Sequence, residues 1–425
     1  MTGPSLARNS AWLILSRFGA QGLAVVFTVL LARRLGNVGF GEYAFVAALI
    51  FVANALTTFG TDMLLIREIA AKNDLSRLSS ALLIQLLLSG IFIAAAWLGG
   101  AYLPNQSSET IHALQIYSLA LIPLAFFSIF TIVLRGEQRM DAYTLLNLAI
   151  SLLQVGGAWF LMKTGSDVVA LSILLLGVQI LAALLAGVAC FWIVPDFWKI
   201  WRFSLDGILP VLRVAAPIAL LTLLGMLYQK LSITMLSMMQ GPIETGIFSA
   251  AARAVEASKT IHLAIFAALY PSMAQGLNQR PGREAVFDKV EIGYLKILLT
   301  GALLAACGLF ILAGPLVSLL YGANYAASVQ ILHILAWTLI PFSISGFLSL
   351  FLMALHKERL ISLIMAVSLM GLAILSIWWI PLNGSVGAAW SFLAAECLQS
   401  SLLIAAVSPL YVKRKASHEF SEFPQ

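Results

Sequence analysis

The stretch Gly36-Asn37-Val38-Gly39-Phe40-Gly41-Glu42-Tyr43-Ala44-Phe45-Val46-Ala47 returns 205 residues later as Gly241-Pro242-Ile243-Glu244-Thr245-Gly246-Ile247-Phe248-Ser249-Ala250-Ala251-Ala252. Both read G-x4-G-x-aromatic-small-x-x-Ala. The same offset pairs Arg8 with Arg213, each just before an apolar run. A second echo sets Leu121-Ile122-Pro123 against Leu339-Ile340-Pro341 at an offset of 218, and the 13-residue difference falls where the segment 271–292 intervenes. One structural unit is therefore used twice. The small residues beside the repeated glycines let helices approach closely.

What surrounds these motifs is almost entirely apolar. Of 425 residues, 61% are hydrophobic and 10% charged, and the mean hydropathy is +0.96. A soluble domain carries about 25% charged residues, so this composition supplies no water-facing surface. Lipid accepts an apolar exterior provided the backbone is satisfied internally, as in helices. Runs as long as a bilayer core requires fall at roughly 11–32, 43–65, 80–102, 112–134, 143–163, 168–194, 212–238, 246–270, 293–317, 328–354, 360–381 and 386–409. These predict an all-α integral membrane protein of about twelve transmembrane helices. No small-residue cleavage site follows the first run, which is read as a helix of the mature protein.

Lysine and arginine set the orientation. With the N-terminus inside, the inner segments hold sixteen basic residues: Arg8, Arg67, Lys72, Arg77, Arg135, Arg139, Lys199, Arg202, Arg280, Arg283, Lys289, Lys357, Arg359, Lys413, Arg414 and Lys415. The outer segments hold three, Arg33, Arg34 and Lys163. Both termini are thus expected in the cytoplasm and the chain in the inner membrane. Spans one and seven both start inside, so the six-helix repeats are parallel. Parallel repeats imply two lobes about an axis along the membrane normal, with a central cavity. The expected lobes are 1–200 and 201–410, followed by a polar cytoplasmic tail, 411–425, without fixed structure. The segment 271–292 is read as an interfacial helix. Pro123, Pro217 and Pro341 are expected to kink their helices.

The net charge of +6 and pI near 9.3 do not indicate a nucleic-acid partner, because the basic residues are scattered between apolar runs. Cys190, Cys307 and Cys397 lie far apart in apolar runs and read as packing residues. No His, Cys or carboxylate group has metal-ligand spacing. The outer loops, about 5–12 residues long, leave no platform for a catalytic domain. That weighs against a membrane glycan polymerase or ligase, and for a transporter rather than an enzyme.

The run Leu31-Ala32-Arg33-Arg34-Leu35-Gly36 through Gly41-Glu42-Tyr43, with Gly60-Thr61-Asp62 and Arg67-Glu68-Ile69-Ala70-Ala71, resembles the N-terminal pattern of Wzx-type polysaccharide flippases. These belong to the multidrug/oligosaccharidyl-lipid/polysaccharide (MOP) exporter superfamily. Tyr270-Pro271 and Leu320-Tyr321-Gly322-Ala323-Asn324-Tyr325 are similar to the same family. The resemblance implies a two-lobed, V-shaped transporter with a largely cationic cavity. It implies as substrate an oligosaccharide on undecaprenyl diphosphate, such as an O-antigen, capsule or exopolysaccharide unit. The implied partners are that lipid-linked glycan, membrane lipids, and a polymerase and other assembly proteins.

Carrying a diphosphate through lipid calls for cations in a partly dry cavity. A charge at the bilayer centre costs about 2.5–3.5 kcal/mol on insertion scales, so membrane-embedded charges are the site candidates. Arg253, Glu256 and Lys259 recur every three residues and share one face of the eighth span. Lys230 in the seventh span lies at a depth similar to Arg253, and the two are placed to bracket one phosphate. Arg17 in the first span is expected to face the cavity, with Gln21 one turn on. Arg213 and Lys296 are read as anchors. Asp62, Glu256 and Glu396 are candidates for ion pairing or for coupling to protons or sodium; no other cofactor is expected. Glu396 either titrates or pairs with a cation of another helix, and Asp62 is within reach of Arg67. The rival within the superfamily is a drug/cation antiporter, which favours an anionic cavity.

Overall fold

The computed structural model describes residues 3–72, 75–165, 167–194, 208–278 and 289–421. Fourteen α-helices account for nearly all of them: α1 (Gly3–Thr58), α2 (Thr61–Lys72), α3 (Leu78–Gly99), α4 (Ser108–Ser118), α5 (Leu121–Gly136), α6 (Met140–Met162), α7 (Val168–Ile193), α8 (Ile208–Gln240), α9 (Pro242–Asn278), α10 (Lys289–Ile311), α11 (Ala313–Leu320), α12 (Ser328–Ala336), α13 (Leu339–Ala354) and α14 (Glu358–Ser421). Most of the expected interfacial helix over 271–292 lies outside the described residues or within the end of α9. Among the described residues nine helical stretches are long and apolar enough to cross a membrane. Two of these are double, since α1 breaks at Gly36 and α14 at Gly384. Dividing them makes eleven, and the charged helix α9 is the twelfth.

The exterior is apolar, and small residues are frequent in the interior. Leu98, Trp192, Leu184, Leu304 and Leu319 are well exposed, whereas Ala32, Ala53, Ala81, Ala182 and Ala186 are wholly buried. This suits a lipid solvent, where large side chains gain nothing by moving inward and small ones allow close helix packing. Many hydroxyls return to their own helix: Thr28 donates to the carbonyl of Ala24, Thr245 to Gly241 and Ser391 to Gly387, which satisfies them without a partner from a neighbouring helix.

The repeat is visible in backbone detail. Gly36 (φ 67°) and Gly241 (φ 83°) both take the left-handed conformation that separates one helix from the next, a region that favours glycine. The Leu-Ile-Pro triplets each open a helix after a two-residue break, α5 following α4 and α13 following α12. Gln138 (φ 60°) and His356 (φ 57°), again 218 positions apart, end those helices in the left-handed region.

By packing, the chain forms two compact units, Met1–Gly246 and Ile247–Gln425. This division is a different quantity from the repeat boundary at 200/201, because α8 belongs to the second repeat by sequence yet packs within the first unit. In unit 1 one core gathers Leu65, Ile69, Leu82, Ile129, Val133 and Cys190 from α2, α3, α5 and α7. Another gathers Phe45, Ile50, Leu114, Leu121 and Val168. In unit 2, α10, α12, α13 and α14 form the core, with Phe347, Phe351, Leu335 and Ala388 fully or almost fully buried. The segment expected to lack fixed structure continues α14 as helix to Ser421, because Lys, Arg, Ala and Glu sustain a helix already started.

Candidate functional site

Unit 2 carries the denser group of membrane charges. On α9, Arg253 Nη1 donates to Glu256 Oε2 at 3.0 Å, one turn along, and the two side chains are 29% and 32% exposed. Lys259 turns instead to α14, where its Nζ donates to Glu396 Oε1 at 2.7 Å. That pair is drier, with Glu396 only 3% and Lys259 15% exposed. The Lys259 ammonium also lies 4.4 Å from the centroid of Phe342 and 4.9 Å from that of Phe392. Ring faces and a carboxylate thus enclose one cation.

The three-residue spacing places all three α9 charges on one face. The structure divides them: Glu256 holds Arg253, and Glu396 holds Lys259. The long lysine stem reaches the neighbouring helix, and a buried carboxylate there demands a counter-charge. The sequence reading missed Phe342 and Phe392. The available signal was that Phe392 precedes Glu396 by one turn, on the same helix face. His262 is a packing residue, its Nδ1 3.2 Å from the carbonyl of Ser258 and its ring edge-on to Phe342. Tyr321, buried, feels the charges of Arg253 and Glu256.

Unit 1 holds Arg17, Lys230 and Asp62 without gathering them into one cluster. Arg17 is exposed on the first half of α1. The Lys230 ammonium lies over the Phe51 ring at 5.3 Å. Asp62 opens α2, directly after a break at Phe59 (φ 47°) and Gly60 (φ 66°). Ser128 Oγ, on α5, donates to Asp62 Oδ1 at 3.1 Å. Among the described residues, Arg67 makes no ion pair with Asp62: the two are five residues apart on α2, about 140° around the helix, and Asp62 meets Ser128 of α5. Among the described residues no group of three or more His, Cys, Asp or Glu side chains is placed to hold a metal ion.

A family model described as "polysaccharide biosynthesis protein" matches residues 6–277. The chain belongs to the polysaccharide biosynthesis protein family. No curated protein matches by sequence. Among solved structures, this family member is similar to the lipid II flippase MurJ in an inward closed conformation. The TM-score is 0.74 at 16% identity, over 93% of this chain and 87% of that one. It is also similar to a multidrug resistance MATE transporter of the MOP superfamily in an inward-facing conformation (TM-score 0.69, 15% identity, 92% and 94% covered). A third is a MOP superfamily transporter from Pyrococcus furiosus, described as having a binding pocket of reversed polarity (TM-score 0.65, 13% identity, 95% and 96% covered). The family member is thus a multi-pass membrane protein with the MOP transporter fold.

Proposed function

We propose that this protein is a flippase for an oligosaccharide linked to undecaprenyl diphosphate, turned from the cytoplasmic to the periplasmic leaflet of the inner membrane by alternating access. One observation carries the reading. In a member of the polysaccharide biosynthesis family, α9 carries Arg253 inside an apolar span with its side chain 29% exposed although it bridges Glu256, and a charge within a span points to function. Arg253 is the primary phosphate contact. Arg17 and Lys230 offer further cations, and Lys259 becomes available when an anion displaces Glu396. The fold neighbour named as a lipid II flippase supports a lipid-linked substrate. Both termini lie in the cytoplasm, as the basic residues require. A glycan polymerase acts on the product, and the protein itself transports without making or breaking bonds.

Deletion of the gene is expected to abolish surface glycan and to accumulate lipid-linked glycan on the cytoplasmic leaflet, with both defects reversed by a plasmid copy. Normal surface glycan in a deletion strain that lacks any second flippase would overturn the proposal. A drug/cation antiporter is the second reading, favoured by the Lys259–Glu396 pair, which cancels one of the four cations. It requires efflux of a cationic dye from cells overproducing the protein, which the flippase reading does not.

A further inference from the structure

Building on the flippase reading, we propose that Glu256 is the release residue of the diphosphate site: a carboxylate that competes with the substrate for Arg253 and takes the arginine back when the substrate leaves. The division of charges in unit 2 points to it. Glu256 lies three residues from Arg253 and three from Lys259 on one face of α9, so spacing alone leaves it shared between two cations. Packing removes the ambiguity. Glu396 of α14 holds Lys259 at 2.7 Å, and Glu256 closes on Arg253 at 3.0 Å.

The two pairs differ in their access to water. Glu256 is 32% exposed and Arg253 29%. When a phosphate takes the guanidinium, the Glu256 carboxylate turns to water and needs no new protein partner. Glu396, 3% exposed, has no such outlet, and a buried carboxylate stripped of its cation is costly. Arg253 is therefore given up to an anion before Lys259 is. With both pairs made, two cations stand against two carboxylates, and these four side chains together carry no net charge. A diphosphate enters such a group only by exchange with a carboxylate, and the same carboxylate drives it out again. A carrier needs both, since its ligand must bind well enough to enter and weakly enough to leave.

The fold does not account for Glu256. A partly exposed pair one turn apart adds little to stability, and a charge within a span is expensive. The first repeat makes the equivalent span without charge: at the offset of 205, Ala48, Phe51 and Asn54 stand where the second repeat has Arg253, Glu256 and Lys259. Nor does Arg253 need the carboxylate in order to bind phosphate, for which a guanidinium alone is suited. What Glu256 adds is competition: an anion 3.0 Å from the guanidinium repels any other anion that approaches it.

The test measures binding and export together. Radiolabelled undecaprenyl diphosphate is bound to the purified full-length protein in detergent, with undecaprenol as the uncharged control, and the same variants are scored for surface glycan in a deletion strain. Glu256→Gln removes the charge at nearly constant shape. It is expected to bind the diphosphate roughly tenfold more tightly and yet to export less glycan than the wild type at equal membrane level. Glu256→Asp, which keeps the charge, is expected to return both readouts toward wild type. A merely structural defect lowers export without raising affinity. Glu256→Gln binding no more tightly than the wild type, or exporting at the full rate, overturns the release role. Equal binding of the diphosphate by the wild type and Arg253→Ala overturns the phosphate-contact reading on which that role rests, so the two failures are told apart.

Discussion

Gly41 and Gly246 are equivalent positions of the two repeats, and they lie against each other. A Cβ on Gly41 would fall on the carbonyl oxygen of Pro242, and one on Gly246 on the carbonyl oxygen of Asn37. Asn37 and Pro242 are themselves equivalent at the offset of 205, so the contact is reciprocal, as a local two-fold axis requires. Backbone touches backbone here, with no flexible side chain to yield.

Alanine at either glycine is therefore expected to destabilise the protein by about 1–3 kcal/mol, and valine by more. Gly22→Ala and Gly90→Ala, where an added Cβ meets nothing within 4 Å, serve as controls and are expected to be neutral or slightly stabilising. Thermal unfolding in detergent, followed by tryptophan fluorescence, distinguishes the two sets.

The Lys259–Glu396 pair makes a different prediction. Removing one partner leaves a buried charge alone, so Glu396→Leu is expected to cost about 3–5 kcal/mol. The double variant Lys259→Met/Glu396→Leu removes both charges and is expected to recover most of that loss. A double-mutant cycle in unfolding free energy measures it. A double variant no more stable than Glu396→Leu would show that the pair is not what holds α9 to α14.

Arg253 separates stability from transport. Its bridge to Glu256 is partly exposed, and breaking such a pair costs about 1 kcal/mol or less. Arg253→Ala is thus expected to insert and fold normally while abolishing glycan export, with Arg253→Lys retaining a part of it. Complementation of a deletion strain, scored by surface glycan against membrane protein level, tests this directly. Full export by Arg253→Ala would remove the phosphate-contact role.

Asn105 closes the end of α8. Its Nδ2 donates to the carbonyls of Met238 at 2.9 Å and Met239 at 3.2 Å, and its own backbone is left-handed (φ 56°). Asn105→Ala loses both bonds and strains the turn, at an expected cost of about 1–2 kcal/mol. Asn105→Gly loses the bonds but keeps the conformation and is expected to be the milder change. The difference in their melting temperatures isolates the backbone contribution.

How far the sequence reaches is clear from these residues. Gly36, Gly41, Gly241 and Gly246 announced a duplicated unit, and the Leu-Ile-Pro triplets, read as kinks inside a span, mark the start of a separate helix in each half. Eleven of the twelve apolar runs fall on the nine stretches that are long and apolar enough to cross a membrane among the described residues, two of them double, and the twelfth falls on α9, whose charges disguise it. Periodicity also put Arg253 and Glu256 together, since partners one turn apart are a local property of any helix. It was blind to Lys259 with Glu396 and to Gln85 with Thr61, which lie 137 and 24 positions apart on different helices.

By itself the sequence determined the class, the helix count and the duplication, because lipid forces every span into a helix and a helix advertises its length and small-residue faces in one dimension. Only the tertiary structure decided which charge neutralises which, and which buried side chains meet. Those outcomes depend on the reach of side chains between helices packed side by side, and no pattern along a single helix records its neighbours. The glycine repeat stands at the junction: its spacing was legible in the chain, but that Gly41 meets Gly246 itself was settled only by packing.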